Sequence, residues 1–142
     1  MEKFKLFLKL YAPVFLRFGM AMVVLWFGFE QFMNASSWTA YVPDSAVSAT
    51  HLSAKTLVYF NATFELILGV MLAIGFQARI VAFFISLHLF HIMFVVGYNE
   101  TGVRDFGLAM ATLVVAMNGS DVLCMKKKED VPAVTSNRVL VQ

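Results

Sequence analysis

The chain has 142 residues and is strongly apolar: 60% of them are hydrophobic, only 14% are charged, and the mean hydropathy is +0.75. Soluble domains carry about 25% charged residues, so this composition excludes an ordinary soluble fold and indicates an integral membrane protein. The net charge of +2 is too small to indicate a nucleic-acid partner. The basic residues gather towards the two ends of the chain, where membrane lipid headgroups are the expected neighbours.

The chain has a single cysteine, Cys124. An intramolecular disulfide and a C-x-x-C redox relay are therefore both excluded. Any electron transfer would need a bound cofactor, a quinone or a partner protein. The first apolar segment follows three lysines, but it is longer than the roughly 7–15 residues of a signal-peptide core, so we expect it to be retained.

Four apolar segments are long enough to cross a bilayer, which takes about 20 mainly apolar residues. We place them at 12–34, 55–76, 80–98 and 106–125. Their length and their Met, Leu and Phe content favour helices over barrel strands. We therefore predict an all-α, integral membrane four-helix bundle in a domain spanning residues 1–128, followed by a flexible cytoplasmic tail at 129–142.

The basic residues also predict the orientation of the bundle. One side of the membrane would carry Lys3, Lys5, Lys9, Arg17, Arg79, Lys126, Lys127 and Lys128. The other side would carry only Lys55 and Arg104. The positive-inside rule then puts both termini in the cytoplasm of a bacterial cell, with the protein in its inner membrane. The long connection at 35–54 would lie outside, where its aromatic residues either anchor it at the interface or cap a cavity.

Several ionisable side chains fall inside the predicted spans, where a charge at a helix centre costs about 2.5–3.5 kcal/mol. They are Arg17, Glu30, Glu65, His88, His91, Arg104 and Asp105. By their depth in the spans, Glu65 and His88 lie near mid-membrane and His91 lies nearer the outer face. Arg104 and Asp105 open the fourth span, where Asp105 can cap the helix N-terminus.

Helical phase groups the polar positions into stripes. The stripe of the third helix consists of Phe84, His88, His91, Val95 and Tyr98. The stripe of the second helix consists of Asn61, Glu65, Gly69 and Leu72. We expect these stripes to face each other across an outward-opening cavity, with Arg104 at its mouth. An ion pair with Arg104 would keep Glu65 charged; a protonated Glu65 is the alternative.

The two histidines also allow simpler interpretations. Each can serve only to hydrogen-bond a neighbouring helix, and Glu65 can belong to a purely structural ion pair. His88 and His91 are three residues apart and could share a metal with Glu65, but helical spacing alone is a weak indication, so we assign no metal. The same spacing excludes the pair as trans axial ligands of one haem.

Four stretches of the chain resemble the DoxX family of small four-helix membrane proteins. They are "RFGMAMVVLWFGFEQF" in the first helix, Trp38, Tyr41 and Pro43 in the outer loop, "FELILGVMLAIGFQAR" across the second helix and its turn, and "GVRDFGLAM" in the fourth segment. Together they cover about residues 14–120. The family's recurrent polar positions match Glu65, Arg79, Arg104 and Asp105, whereas His88 and His91 are features of this sequence.

The resemblance implies one of two classes of function. Some relatives are subunits of thiosulfate:quinone oxidoreductases or take part in redox-stress complexes. On this first hypothesis the cavity accepts a quinone head group or a small anionic substrate. Glu65, His88, His91 and Arg104 would be its catalytic residues, and Tyr98 would join Glu65, His91 and Arg104 in binding the quinone.

The second hypothesis is a non-catalytic subunit, assembly factor or chaperone of a larger membrane complex, as the resemblance to more distant relatives implies. Glu30 and Trp38 would then contact other membrane subunits or a second copy of the chain. Glu30 lies off the packing stripe of the first helix, which consists of Arg17, Ala21, Val24, Gly28 and Gln31. A transporter is a weaker third option, because four helices enclose only a small pathway.

Overall fold

The structure, a computed structural model, describes residues 1–125. These residues form helices and turns and contain no β-strand. The helices are α1 (Glu2–Met33), α2 (Ala35–Trp38), α3 (Asp44–Thr50), α4 (Ala54–Ile74), α5 (Ala78–Val96) and α6 (Glu100–Asn118), with a 3₁₀ turn at Thr39–Tyr41. The predicted flexible tail at 129–142 lies outside the described residues.

The four long helices pack as two close antiparallel pairs, α1 with α4 and α5 with α6. Contacts between the pairs, from α1 to α6 and from α4 to α5, are sparser. Gly28 of α1 lies against Ala62 and Leu66 of α4, and Gly69 of α4 lies against Leu25 of α1, so each helix presents a glycine to the other. Such small residues let two helix backbones approach closely in a membrane.

The bundle has two distinct ends. At the loop end lie α2, α3 and the turn that joins α5 to α6. At the tail end lie the turn between α4 and α5 and the segment 119–125. Chain direction puts the start of α1 at the tail end and its last turns at the loop end.

Large apolar side chains cover the outside of the bundle, and small ones fill much of its interior. Trp26, Phe60 and Phe94 are among many exposed aromatics, whereas Ala62 and Ala82 are fully buried. This arrangement is typical of helices packed in lipid. Three helices, α1, α4 and α5, are long and apolar enough to cross a membrane. α6 has 19 residues and is long enough, but its mean hydropathy is too low because it includes three charged side chains.

The fourth predicted segment, 106–125, is displaced by about two turns from the helix that the structure shows. α6 begins at Glu100 because Asn99 caps it, its side chain accepting a hydrogen bond from the Gly102 backbone N–H at 3.0 Å. It ends before Gly119, whose φ of +76° leaves the helical region. Asp105 therefore lies inside the helix, and the prediction that it caps the N-terminus was wrong.

The first helix in the structure is longer than the predicted span at 12–34. α1 begins at Glu2 rather than near residue 12 and has 32 residues, or about 48 Å of helix. Its residues up to Ala12 are all exposed. The second and third predicted spans agree with α4 and α5 to within two residues.

A buried ion pair closes the tail end of the bundle. Arg17 of α1 donates from Nε to Asp121 Oδ2 at 2.7 Å, and from Nη1 to the carbonyl oxygens of Leu72 (2.7 Å) and Ala73 (2.6 Å) at the end of α4. The Asp121 carboxylate also accepts the backbone N–H of Leu123 at 2.9 Å. Burial acts to raise the pKa of Asp121, but these hydrogen bonds and the Arg17 charge outweigh it, so the pKa lies below its usual range.

Candidate functional site

A cavity of about 260 Å³ lies at the loop end, between the two helix pairs. All four long helices contribute to its wall, and the connection after α1 covers it with Trp38, Tyr41, Val42 and Pro43. The polar side chains that line it are Gln31, Asn61, Glu65, His88, His91, Thr101, Arg104 and Asp105. The structure thus places Glu65, both histidines and Arg104 on the wall of one cavity.

Glu65 is the centre of a hydrogen-bond network on the wall of this cavity. Its side chain is 5% exposed, and its Oε2 accepts a hydrogen bond from Gln31 Nε2 at 2.8 Å. Oε1 accepts one from Asn61 Nδ2 at 3.1 Å and lies 3.3 Å from His88 Nε2. Asn61 Nδ2 also donates to Gln31 Oε1 at 2.7 Å, which closes the ring of contacts. Three helices thereby surround one carboxyl group with hydrogen-bonding side chains.

The two histidines have different surroundings. His88 is largely buried, touches Glu65, and stacks edge-on against Phe64 with ring centroids 5.0 Å apart. His91, one turn later on α5, lines the cavity but is exposed, and it makes no hydrogen bond to any residue in 1–125. His88 therefore belongs to the wall of the cavity, whereas the ring of His91 is available to a ligand.

Arg104 pairs with its own neighbour rather than with Glu65. Its Nε donates to Asp105 Oδ1 at 2.8 Å, and its guanidinium carbon lies 4.6 Å from the centre of the Phe27 ring. Of the two alternatives for Glu65, the ion pair with Arg104 is therefore not the one formed. Asp105 is the next residue in the chain and is buried beside Arg104. Its carboxylate, and not that of Glu65, therefore pairs with the guanidinium. Arg104 itself stays exposed at the rim of the cavity.

Tyr98 lies outside the site, contrary to its predicted place in the histidine stripe. It is 99% exposed and is not part of the cavity wall. The stripe assumes helical geometry to residue 98, but α5 ends at Val96. Gly97 has a φ of +82° and turns the chain away from the helix axis.

Sequence reasoning gave no role to Gln31 or Asp121, and it offered a cavity cap for Trp38 only as an alternative to an interfacial anchor. Gln31 lies on the predicted packing stripe of the first helix, and Asn61 lies on the same stripe as Glu65. An amide at the same depth as a buried carboxylate is a signal that could have paired both with Glu65. Asp121 had no such signal, because the predicted fourth span ran through it. Within residues 1–125 no group of three or more His, Cys, Asp or Glu is arranged to hold a metal.

Comparison with curated proteins gave no match, and comparison with solved structures gave none either. The sequence model of the DoxX family does match, over residues 12–98, which is more than half of the chain. That stretch holds α4, α5 and most of α1, together with Gln31, Asn61, Glu65 and both cavity histidines. The chain belongs to the DoxX family.

Proposed function

We propose that this protein crosses the membrane four times and binds a small amphipathic ligand in the loop-end cavity, in or beside a quinone-linked electron-transfer system. The ligand class that we favour is a quinone head group. α6 would be the fourth span, since it has the same length as α5 and lies antiparallel to it. Both termini would be cytoplasmic, the cavity would open outward, and the membrane would be a bacterial inner membrane.

The observation that carries the proposal is the position of the Glu65 network. A carboxylate held by Gln31, Asn61 and His88 lies on one wall of a cavity that is otherwise mostly apolar. Intramembrane ionisable groups that face a cavity are functional candidates by default. A quinone has a matching character, with two carbonyl oxygens on a flat apolar ring and an apolar tail.

The rim of the cavity favours entry from the bilayer. The connection after α1 covers the loop end, while α4 and α5 contact each other sparsely. His91 and Val95 of α5 both line the cavity and are both exposed. A ligand dissolved in the membrane would therefore enter between α4 and α5 with its tail among apolar side chains.

Each polar residue then has a defined task. His91 would donate a hydrogen bond to a ligand oxygen at the entrance. His88 Nε2 and Glu65 Oε1, 3.3 Å apart, would pass a proton between the ligand and the carboxylate. Arg104 uses Nε on Asp105, which leaves its two terminal nitrogens to stabilise negative charge on the ligand. A bound quinone would supply the redox chemistry, and a partner or a second substrate would supply the electrons.

Trp38 offers a direct test of ligand binding. The chain has two tryptophans; Trp38 lines the cavity and Trp26 is exposed on the outside of α1. In a Trp26→Phe background, a short-chain quinone analogue should quench the remaining fluorescence saturably. Glu65→Gln and His91→Ala should each weaken binding about tenfold, in line with the loss of a hydrogen bond to a charged or buried group.

The matched control is Glu30→Gln, which changes a carboxylate outside the cavity and should leave the quenching curve unchanged. Linear, unsaturable quenching, or equal affinities for the Glu65→Gln and Glu30→Gln proteins, would argue against the proposal.

The orientation is tested with single cysteines, placed at Ser45 and at Lys5 in a Cys124→Ala protein, that are labelled with an impermeant reagent. Reaction from outside at residue 45 alone is the expected result.

The second candidate, a non-catalytic subunit or assembly factor, rests on the outer face of α1. Glu30 lies about 140° around the helix from the buried residues, on the same side as the exposed Trp26. Its Oε1 accepts a hydrogen bond from Asn34 Nδ2 at 2.7 Å. Trp38 packs against Phe27 and Tyr41, so it is not part of this face. Mild-detergent co-purification of a membrane protein that is lost with Glu30→Gln, together with no quinone binding, would favour this class.

A further inference from the structure

A second concave site lies on the outside of the bundle, remote from the cavity. It is a groove of about 290 Å³ between α5 and α6 at the tail end. Its walls are Ile80, Phe83, Leu113, Ala116 and Met117, all apolar, with Arg79 as the charged side chain. We call it the α5–α6 groove.

Arg79 is exposed at the end of this groove. Its guanidinium lies beside Gly119, where an added Cβ would come within 2.6 Å of Nη2, so the missing side chain leaves room for it. The partial negative charge at the C-terminal end of α6 attracts a guanidinium to this position. Arg79 nevertheless donates no hydrogen bond and forms no ion pair with any residue in 1–125. Its five N–H donors are therefore available to an acceptor outside this part of the chain.

The depth of Arg79 indicates what that acceptor is. α5 has 19 residues and is about 28 Å long, close to the thickness of a bilayer's hydrocarbon core. Arg79 is its second residue, so its guanidinium lies at the level of the lipid headgroups. The apolar groove runs from there towards the bilayer centre, with Ile80, Phe83 and Met117 exposed along it.

We propose that the α5–α6 groove binds an anionic phospholipid, whose phosphate contacts the Arg79 guanidinium and whose acyl chain lies along the groove. Guanidinium and phosphate form strong charge-assisted hydrogen bonds, often two in parallel. This proposal stands independently of the quinone proposal, because the groove and the cavity share no lining residue.

Native mass spectrometry of the purified full chain in a neutral detergent can test the charge recognition. The chain is offered equal amounts of phosphatidylglycerol and phosphatidylcholine with identical acyl chains. We expect about a fivefold preference for phosphatidylglycerol, the contribution of one basic residue near a membrane surface. Arg79→Gln should abolish this preference. Lys55→Gln, which removes an exposed cation at the loop end, should retain it.

A second pair of variants tests the groove itself. Met117→Gln changes an exposed methionine in the groove, and Met22→Gln changes an equally exposed one on α1, with 74% and 70% of each residue exposed. Met117→Gln should weaken the binding of both lipids, and Met22→Gln should leave both unchanged. Inorganic phosphate, offered alone, should bind too weakly to detect, since it cannot use the apolar wall.

Three results would overturn the proposal. One is a preference for phosphatidylglycerol that survives Arg79→Gln or is lost equally with Lys55→Gln, which would indicate the overall charge of the protein. Another is equal lipid binding by the Met117→Gln and Met22→Gln proteins. The third is a stable dimer that dissociates with Met117→Gln and binds no lipid, which would identify a second copy of the chain as the occupant.

Discussion

His88 Nε2 of α5 lies 3.3 Å from Glu65 Oε1 of α4, and this contact joins the two helix pairs at the wall of the cavity. α4 and α5 otherwise contact each other sparsely, so the pair has few competing interactions across the same interface. His91 lies one turn further along α5 and makes no hydrogen bond within residues 1–125. The two histidines therefore form a natural comparison.

A double-mutant cycle should show that His88 and Glu65 are coupled in stability. We expect a coupling free energy of about 0.6 kcal/mol for His88→Ala with Glu65→Gln, the average for hydrogen bonds between membrane helices. Reversible unfolding in mixed micelles provides the measurement. The cycle of His91→Ala with Glu65→Gln is the control, and it should give a coupling indistinguishable from zero. A similar coupling for both histidines would contradict the observed geometry.

The two arginine–aspartate pairs should differ widely in their contribution to stability. Arg17 and Asp121 are both buried, whereas the Arg104 side chain is 43% exposed beside a buried Asp105. Asp121→Ala leaves a buried guanidinium without its counter-ion and should cost about 3–5 kcal/mol. Asp105→Ala leaves a guanidinium that can reach water or headgroups and should cost about 1 kcal/mol. The unfolding free energies of the two variants check this, and equal costs would contradict the assigned burial.

The convergence of Glu65 and His88 could be predicted from sequence because both lie on polar stripes of long helices at similar depth. Helix period and span length alone fix those two properties. The same reasoning failed at Tyr98, since it extended the helix past Gly97, where a positive φ breaks the stripe. A stripe is reliable only as far as the helix that carries it.

The partners of charged residues were harder to predict than their positions. Depth placed Arg104 near the mouth of the cavity, but only side-chain conformations decide between Glu65 and the adjacent Asp105. Asp121 became a partner of Arg17 because α6 ends early at Asn118 and the chain folds back beneath the bundle. The position of Asp121 therefore depends on where α6 begins and ends. The Asn99 cap and Gly119 decide that, and a hydropathy profile shows neither.

Acid should destabilise the tail end of the bundle through Asp121. Its pKa in the folded protein lies below its ordinary value of 3.8, because the hydrogen bonds and charge of Arg17 outweigh the burial that would raise it. A group with a lowered folded pKa stabilises the protein fully above the unfolded pKa, and that stabilisation is lost as the pH falls towards the folded pKa. The free energy of unfolding should therefore fall as the pH drops below 3.8, the ordinary pKa of this carboxyl.

Asp121→Asn should reduce this acid-dependent loss, since asparagine does not titrate. Asp44→Asn, which changes an exposed aspartate at the start of α3, should keep the wild-type pH dependence. Unfolding curves at several pH values for the three proteins give the comparison. If the Asp44 variant, and not the Asp121 variant, lost the acid sensitivity, the ion pair with Arg17 would not be its source.

The close approach of α1 and α4 makes Gly28 sensitive to a single methyl group. A Cβ at Gly28 would lie 3.0 Å from Leu66 Cγ and 3.1 Å from both the Ala62 carbonyl oxygen and the Leu66 backbone nitrogen, so the helices would have to separate. We expect Gly28→Ala to cost about 1–3 kcal/mol of unfolding free energy, the usual range for overpacking. Gly19→Ala, on the same helix with no atom within 4 Å of the new Cβ, should instead be neutral or stabilise by up to about 1 kcal/mol through helix propensity. The same sign for both variants would mean that α1 and α4 do not meet at Gly28.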